Sequence, residues 1–279
     1  KMMQVRVAFL LSWGFTCVSS FTAGHLLPVL GGQTTRGFRP TMDRSRVVMQ
    51  QAGDNWNFGR FVQTFGFFNG NPLLKLIPFM PSGAPSVPQP APVTVSGNEL
   101  ALWSFEGMDQ RSFDKIWAPL DDVVMGGVSV SNVKLAEHGA TLSGETSSRN
   151  NGGFCSARTR NCDPPFDITG YSSLGVRVKC DKGMHYKIIL RDEDGWDTIA
   201  WCYSFDTKPN QWIDLKAPLK DFIPVVRGNT LRNAQRGIDR AKIYSVQLMI
   251  SKYEYDGALN PNFLEGSFNL DFGAVRALK

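Results

Sequence analysis

Histidine and cysteine are scarce in this chain, with three and five among 279 residues and no C-x-x-C pair. Past the first fifty residues only His138 and His185 remain. A zinc centre would have to be put together from scattered thiols and one imidazole, so no metal is expected. Both common phosphate cradles are missing: G-x-G-x-x-G after a strand, and G-x-x-x-x-G-K-[ST]. G-x-S-x-G and H-E-x-x-H are missing as well. No apolar run reaches the ~20 residues of a bilayer-spanning helix, and no internal repeat is evident. These absences remove the usual nucleotide-dependent, serine-hydrolase and metalloprotease classes. No catalytic set and no cofactor are expected.

The charge is unevenly placed. The formal net charge of +5 lies in residues 1–50, where Lys1, Arg6, Arg36, Arg39, Arg44 and Arg46 face Asp43 alone. Residues 51–279 carry 24 groups of each sign. A neutral main region has no global field to hold a phosphate backbone, so nucleic acid is an unfavoured partner. A local basic patch stays open, because Arg227, Arg232, Arg236, Arg240 and Lys242 fall close together.

Residues 1–50 have the composition of a leader. Lys1 and Arg6 precede an apolar run, Val7 to Val18, and Ser19-Ser20 offers small residues for cleavage before Phe21. Residues 22–50, rich in Thr, Gly and Arg with one acid, have the composition of a transit peptide. A signal peptide ending at a phenylalanine and followed by a transit-like stretch resembles the bipartite leader of plastids bounded by extra membranes. The expected destination is a plastid, with a mitochondrion or secretion as alternatives.

Residues 51–80 form an aromatic segment. Phe58, Phe61, Phe65 and Phe68 recur at helical spacing, weakened by Gly59 and Gly66 at about 1 kcal/mol each relative to alanine. A second apolar patch, Leu73 to Met80, follows. So much aromatic surface needs cover. Packing against the main domain, a peripheral membrane contact through 54–80 and a docked partner are all open. Prolines at 81, 85, 88, 90 and 92 make residues 81–93 a semi-rigid linker, an argument for a separate segment.

From residue 100 to 279 short strands alternate with turns. Leu174-Gly175-Val176-Arg177-Val178-Lys179-Cys180 places every second side chain on one face. Tyr186–Arg191, Thr198–Phe205, Trp212–Leu215, Ser245–Ile250 and Phe268–Phe272 continue the pattern, and an all-β sandwich is the expected fold. Four cysteines remain in this region. Free thiols are the default, with a small Cys155–Cys162 ring as the alternative. Asp192-Glu193-Asp194 reads as solvated turn carboxylates or as an oxygen-rich calcium loop.

The segment Asp121-Asp122-Val123-Val124-Met125-Gly126-Gly127-Val128-Ser129 is harder to explain locally. Two carboxylates lead into a valine pair and then a glycine pair that frees the backbone. Three further stretches accompany it in order: Gly152-Gly153-Phe154-Cys155-Ser156-Ala157-Arg158, Ser251-Lys252-Tyr253-Glu254-Tyr255-Asp256-Gly257, and Gly266-Ser267-Phe268-Asn269-Leu270-Asp271-Phe272. Together they resemble the complex I intermediate-associated protein 30 family. The resemblance implies a galactose-binding-like jelly-roll β-sandwich acting as a non-enzymatic assembly factor. Its implied partners are subunits or assembly intermediates of a membrane electron-transfer complex. The candidate binding residues are Asp121, Asp122, Met125, Gly126, Gly127, Arg158, Arg191, Lys252 and Glu254. Asp122, Arg158, Arg191 and Lys252 are expected to line one polar patch at the sandwich rim with the Gly126-Gly127 turn, the alternative being scattered surface ion pairs worth about 0–1 kcal/mol each. The runner-up function is a carbohydrate-binding module, with Trp196, Trp201 and Trp212 available to stack on a sugar.

Overall fold

The computed structural model of the chain describes residues 55–70, 86–195 and 198–279. The leader, the Leu73–Met80 patch, the first half of the linker and Trp196 lie outside the described residues. Helix α1 spans Phe58–Asn69. The strands are β1 (Val87–Pro88), β2 (Val93–Ser96), β3 (Glu99–Trp103), β4 (Trp117–Pro119), β5 (Val130–Ala136) and β6 (Gly139–Thr146). Then come β7 (Phe154–Thr159), β8 (Cys162–Asp163), β9 (Ser173–Cys180), β10 (His185–Arg191), β11 (Ala200–Asp206) and β12 (Trp212–Pro218). The last are β13 (Ile223–Val226), β14 (Asn229–Thr230), β15 (Ser245–Ser251), β16 (Gly266–Phe272) and β17 (Val275–Leu278). Helix α2, Gln110–Ile116, lies between β3 and β4.

Two sheets face each other across one core. The first runs β2-β3-β17-β9-β16-β6-β5, with β12 on the free edge of β9. The second runs β14-β13-β11-β10-β15-β7-β4. This is the all-β sandwich expected of residues 100–279. Alternation explains it: Leu174, Val176, Val178 and Cys180 of β9 and Phe268, Leu270 and Phe272 of β16 are buried between the sheets. Tyr186, Ile188 and Leu190 of β10 face them from the second sheet. Aromatic rings fill one end, with Trp117 5.3 Å from Phe272 and stacked on Phe113 at 6.2 Å.

Two differences from the sequence reading have clear causes. Helix α2 interrupts the strands because Asp109 caps it, accepting from the Ser112 amide at 2.7 Å, and because Phe113 anchors it in the core. The second half of the linker is also part of the sandwich. Val87 and Pro88 run parallel to Cys162 and Asp163, with the Val87 amide 2.9 Å from the Asn161 carbonyl. Proline tolerates such a short edge strand because its missing N–H is not needed there. Among the described residues no helix is long and apolar enough to cross a membrane.

Cys155, Cys162, Cys180 and Cys202 are free and buried, so the Cys155–Cys162 ring does not form. Burial pushes Cys162 and Cys202 up to about 12 and raises Cys155 and Cys180 as well. Iodoacetamide at mildly alkaline pH is expected to leave all four unlabelled in the native protein and to label all four after unfolding. Peptide mass mapping reads the difference.

Candidate functional site

Strand β4 ends at Pro119, and the Leu120 amide donates to the Ser156 carbonyl at 2.8 Å. The chain then enters a 3-10 turn, Asp122–Met125, which ends at Gly126 with φ 92°, in the left-handed region that favours glycine. The turn sends its two carboxylates to different partners.

Asp122 is fully buried. Its Oδ1 accepts from the Ser129 amide at 2.9 Å, and its Oδ2 from the Ser129 hydroxyl at 2.5 Å and the Gly153 amide at 2.6 Å. The Phe154 amide lies 3.3 Å from the same Oδ2. Ser129 is itself fixed, because its Oγ accepts from the Ser147 amide at 2.9 Å. The glycines follow from this carboxylate. A Cβ on Gly127 would stand 2.3 Å from the Asp122 Cγ, and one on Gly152 would stand 2.5 Å from its Oδ2. Gly153, with φ 122°, presses on Lys252, whose amide donates to the Gly153 carbonyl at 2.7 Å. Two of the four signature stretches therefore meet at one buried carboxylate, and a third, through Lys252, packs on Gly153 beside it.

Asp121 faces the other way. Its carboxylate takes the Ser131 amide at 2.8 Å, the Ser131 hydroxyl at 2.5 Å and the Arg60 guanidinium at 2.7 Å. Arg60 belongs to α1. It also reaches the Ser129 carbonyl at 3.0 Å, and the Trp56 indole donates to the Val123 carbonyl at 2.7 Å. At the other end of α1, Arg160 donates to the Phe67 carbonyl at 3.1 Å and covers the Phe67 ring at 3.9 Å. The helix thus packs on the sandwich despite the proline-rich spacer, with its charged residue turned inward. Burial raises the Asp121 carboxyl above its usual range, against the lowering pull of Ser131 and Arg60.

The other candidates divide into two places. Glu254 lies in the loop after β15, which folds over the outer face of the second sheet. Lys187, on that face and nearly buried, donates to the carbonyls of Tyr253 at 2.5 Å and Glu254 at 2.8 Å. Burial lowers the Lys187 ammonium, and the Glu254 carboxylate opposes that. Glu254 accepts from the Ser204 hydroxyl at 2.8 Å and lies 3.2 Å from His185 Nε2, while His185 Nδ1 meets Asp206 at 2.7 Å. Arg158 and Arg191 lie further along the sheet. Arg158 is four residues from Phe154 on β7, about 13 Å at ~3.3 Å per residue. Arg158 is buried beside Asn161 at 3.5 Å, under the Phe68 ring at 5.4 Å. Burial, and then the neighbouring Arg191, holds its guanidinium well below the usual value. Arg191 donates to Gln247 at 3.3 Å, and Gln247 donates to Ser156 at 2.9 Å.

The structure distributes the candidates of the rim patch over three places, the third being Glu254 with Lys187 and His185. Asp122, Gly127 and Lys252 gather at the rim, but Asp122 is sealed there and open to no ligand. Arg158 and Arg191 form a cationic pair on the sheet face. Met125 is 74% exposed at the tip of the turn. Lys187, His185, Ser204 and Asp206 were missed. Lys187 and His185 share the parity of Arg191 along β10, so alternation within that strand was the available signal.

The acidic loop is also committed. Arg236 pairs with Asp192 and with Glu193, the latter at 2.5 Å, and Asp194 accepts from Asn161 at 2.9 Å. Among the described residues no group of three or more His, Cys, Asp or Glu could hold a metal ion. Of the tryptophans considered for sugar stacking, Trp201 is buried in the core and cannot serve. Trp212 lies under Arg177 at 5.0 Å and Lys179 at 5.4 Å.

The profile of the complex I intermediate-associated protein 30 family matches residues 103–272. The chain belongs to that family. The matched region runs from the end of β3 to the end of β16 and includes all four signature stretches. No curated protein matches the chain. Among solved structures it is similar to the family 11 carbohydrate-binding module from Clostridium thermocellum, at 16% identity, 66% of this chain, 96% of that one and a TM-score of 0.45. It is also similar to the agarase AgWH50C, at 11% identity, 65% and 25% coverage and a TM-score of 0.41. A family 30 carbohydrate-binding module follows at 13% identity, 54% and 74% coverage and a TM-score of 0.34.

Two outcomes are expected of the family's signature residues. Asp122→Ala and Gly127→Ala each lower stability in urea by about 3 kcal/mol or more, because buried amides lose their acceptor or the carboxylate is displaced. Asp121 gives a pH signature. The native carboxyl keeps its proton to a higher pH than the unfolded one. Its contribution is complete below the ordinary value of 3.8 and is lost as pH rises through the folded value. Asp121→Asn removes this titration, so in parallel urea titrations the stability difference moves in the variant's favour as pH rises above 3.8.

Proposed function

We propose that this chain is a non-enzymatic assembly factor, binding a subunit or assembly intermediate of a membrane electron-transfer complex through protein–protein contacts of its sandwich. The observation that carries this reading is membership of the complex I intermediate-associated protein 30 family across residues 103–272. The fate of the polar residues supports it. The adjacent carboxylates Asp121 and Asp122 are bound by serines, backbone amides and Arg60, which leaves neither of them facing a cleft as acid or base. The neutral balance of residues 51–279 argues against nucleic acid as the client.

The compartment follows from the leader composition. A signal peptide with a transit-like extension favours a plastid, and a plastid makes a photosynthetic or related thylakoid complex the client. A mitochondrial destination would make the client complex I and leave the mechanism unchanged. A peripheral membrane contact through residues 54–80 belongs to the same reading.

The test is localisation of the full-length chain tagged at its C-terminus, followed by native pull-down from that compartment and by gene deletion. Plastid targeting, co-purifying thylakoid-complex subunits and loss of at least half of that complex on deletion are the expected results. Normal abundance of every plastid and mitochondrial complex after deletion would overturn the assembly role.

A further inference from the structure

Helix α1 is docked with the opposite polarity from an ordinary surface helix. Its one charged side chain, Arg60, points inward to Asp121 and the Ser129 carbonyl, and the Phe67 and Phe68 rings lie under Arg160 and Arg158. The outward face carries exposed apolar side chains beside Gln63. Phe58 is 64% exposed, Val62 42% and Trp56 40%. Trp56, Phe58, Phe61 and Phe65 form a continuous file of rings, with neighbouring centroids 5.7–6.2 Å apart. The turn that receives the Trp56 indole carries Met125 two residues beyond Val123, so the file of rings and the Met125 tip belong to one ridge.

We propose that this ridge is a lipid-docking surface, with Trp56, Phe58, Val62 and Met125 entering the headgroup–acyl boundary of a membrane. The inference rests on, and sharpens, the membrane contact suggested for the 54–80 segment. Two arguments favour lipid over a protein partner. The first is area. At roughly 150–250 Å² for each large side chain, the exposed parts of these four amount to roughly 400 Å². A stable protein interface needs ~800 Å² per partner. A bilayer has no such threshold, because it accepts a narrow ridge without shape complementarity. The second is charge. From Asn55 to Met80 the sequence contains no acid, and its only charges are Arg60 and Lys75. Asp54, at the near end of the 54–80 segment, is the one acid beside them, and a tryptophan with phenylalanines suits the interfacial zone.

The test is flotation of the full chain with phosphatidylcholine vesicles and with vesicles holding about one third phosphatidylglycerol, compared with a Phe58→Ser, Val62→Gln, Met125→Gln variant. The three side chains face solvent, and matching circular dichroism and melting curves check that the variant folds. The expected result is binding to both vesicle types that survives 500 mM salt and falls at least tenfold in the variant. Unchanged binding by the variant would overturn the proposal. So would binding abolished by salt, which would assign it to the basic residues 1–50, and so would no binding by either chain. Loss of a pulled-down protein client with vesicle binding intact would also overturn it, by making the ridge a protein contact. Normal complex abundance after gene deletion, with vesicle binding intact, would instead sink the assembly role and leave the ridge standing.

Discussion

A single buried carboxylate organises this sandwich. Asp122 gathers the Ser129 amide and hydroxyl and the Gly153 amide around one charge, and through Gly153 it fixes the approach of Lys252. Three loops far apart in sequence thereby share one rim. A charge in that position is tolerable only when every lone pair finds a donor. The glycines at 127 and 152 exist in this account because the carboxylate occupies the space a side chain would need. The family signature describes how a rim is built, and a substrate is not needed to explain it.

The neighbouring Asp121 shows a different use of the same chemistry. Its pair with Arg60 is buried, and desolvation costs such pairs much of their Coulombic gain. Its effect lies in position more than in strength. Arg60 has one partner of opposite charge among these contacts, and that partner decides which face of α1 meets the sandwich. Phe58, Val62 and Trp56 are left outside, while Phe67 and Phe68 are covered by Arg160 and Arg158. Polarity of docking, set by one arginine, is what gives the molecule an apolar ridge.

Much of the fold was legible in the sequence because strands with one buried face alternate, as β9 and β16 do. Helix α1 was legible from Phe58, Phe61, Phe65 and Phe68, but its seat was not. A proline-rich stretch reads as a spacer, and nothing local reveals that Val87 and Pro88 pair with Cys162 and Asp163. The residues of the site were found by type and by motif, while their grouping was lost. Asp122 precedes one glycine pair and Arg158 follows another, yet one is enclosed at the rim and the other lies along β7. Burial of a charge is a tertiary property, decided by donors that are distant in the chain. Lys187 shows the reverse case. It stands in a strand whose parity was known, and its two carbonyl partners, at residues 253 and 254, could be seen only once β10 and β15 were side by side.

The last strand has a role in time as well as in space. Strand β17 lies between β3 and β9, and the Lys279 amide reaches the Asn98 carbonyl at 3.0 Å. The first sheet therefore stays divided until β17 has been synthesised. Until then the edges of β3 and β9 are open to pairing with other chains. A nascent copy is open to holding chaperones until β17 has paired, and a change that keeps β17 from pairing leaves the first sheet open.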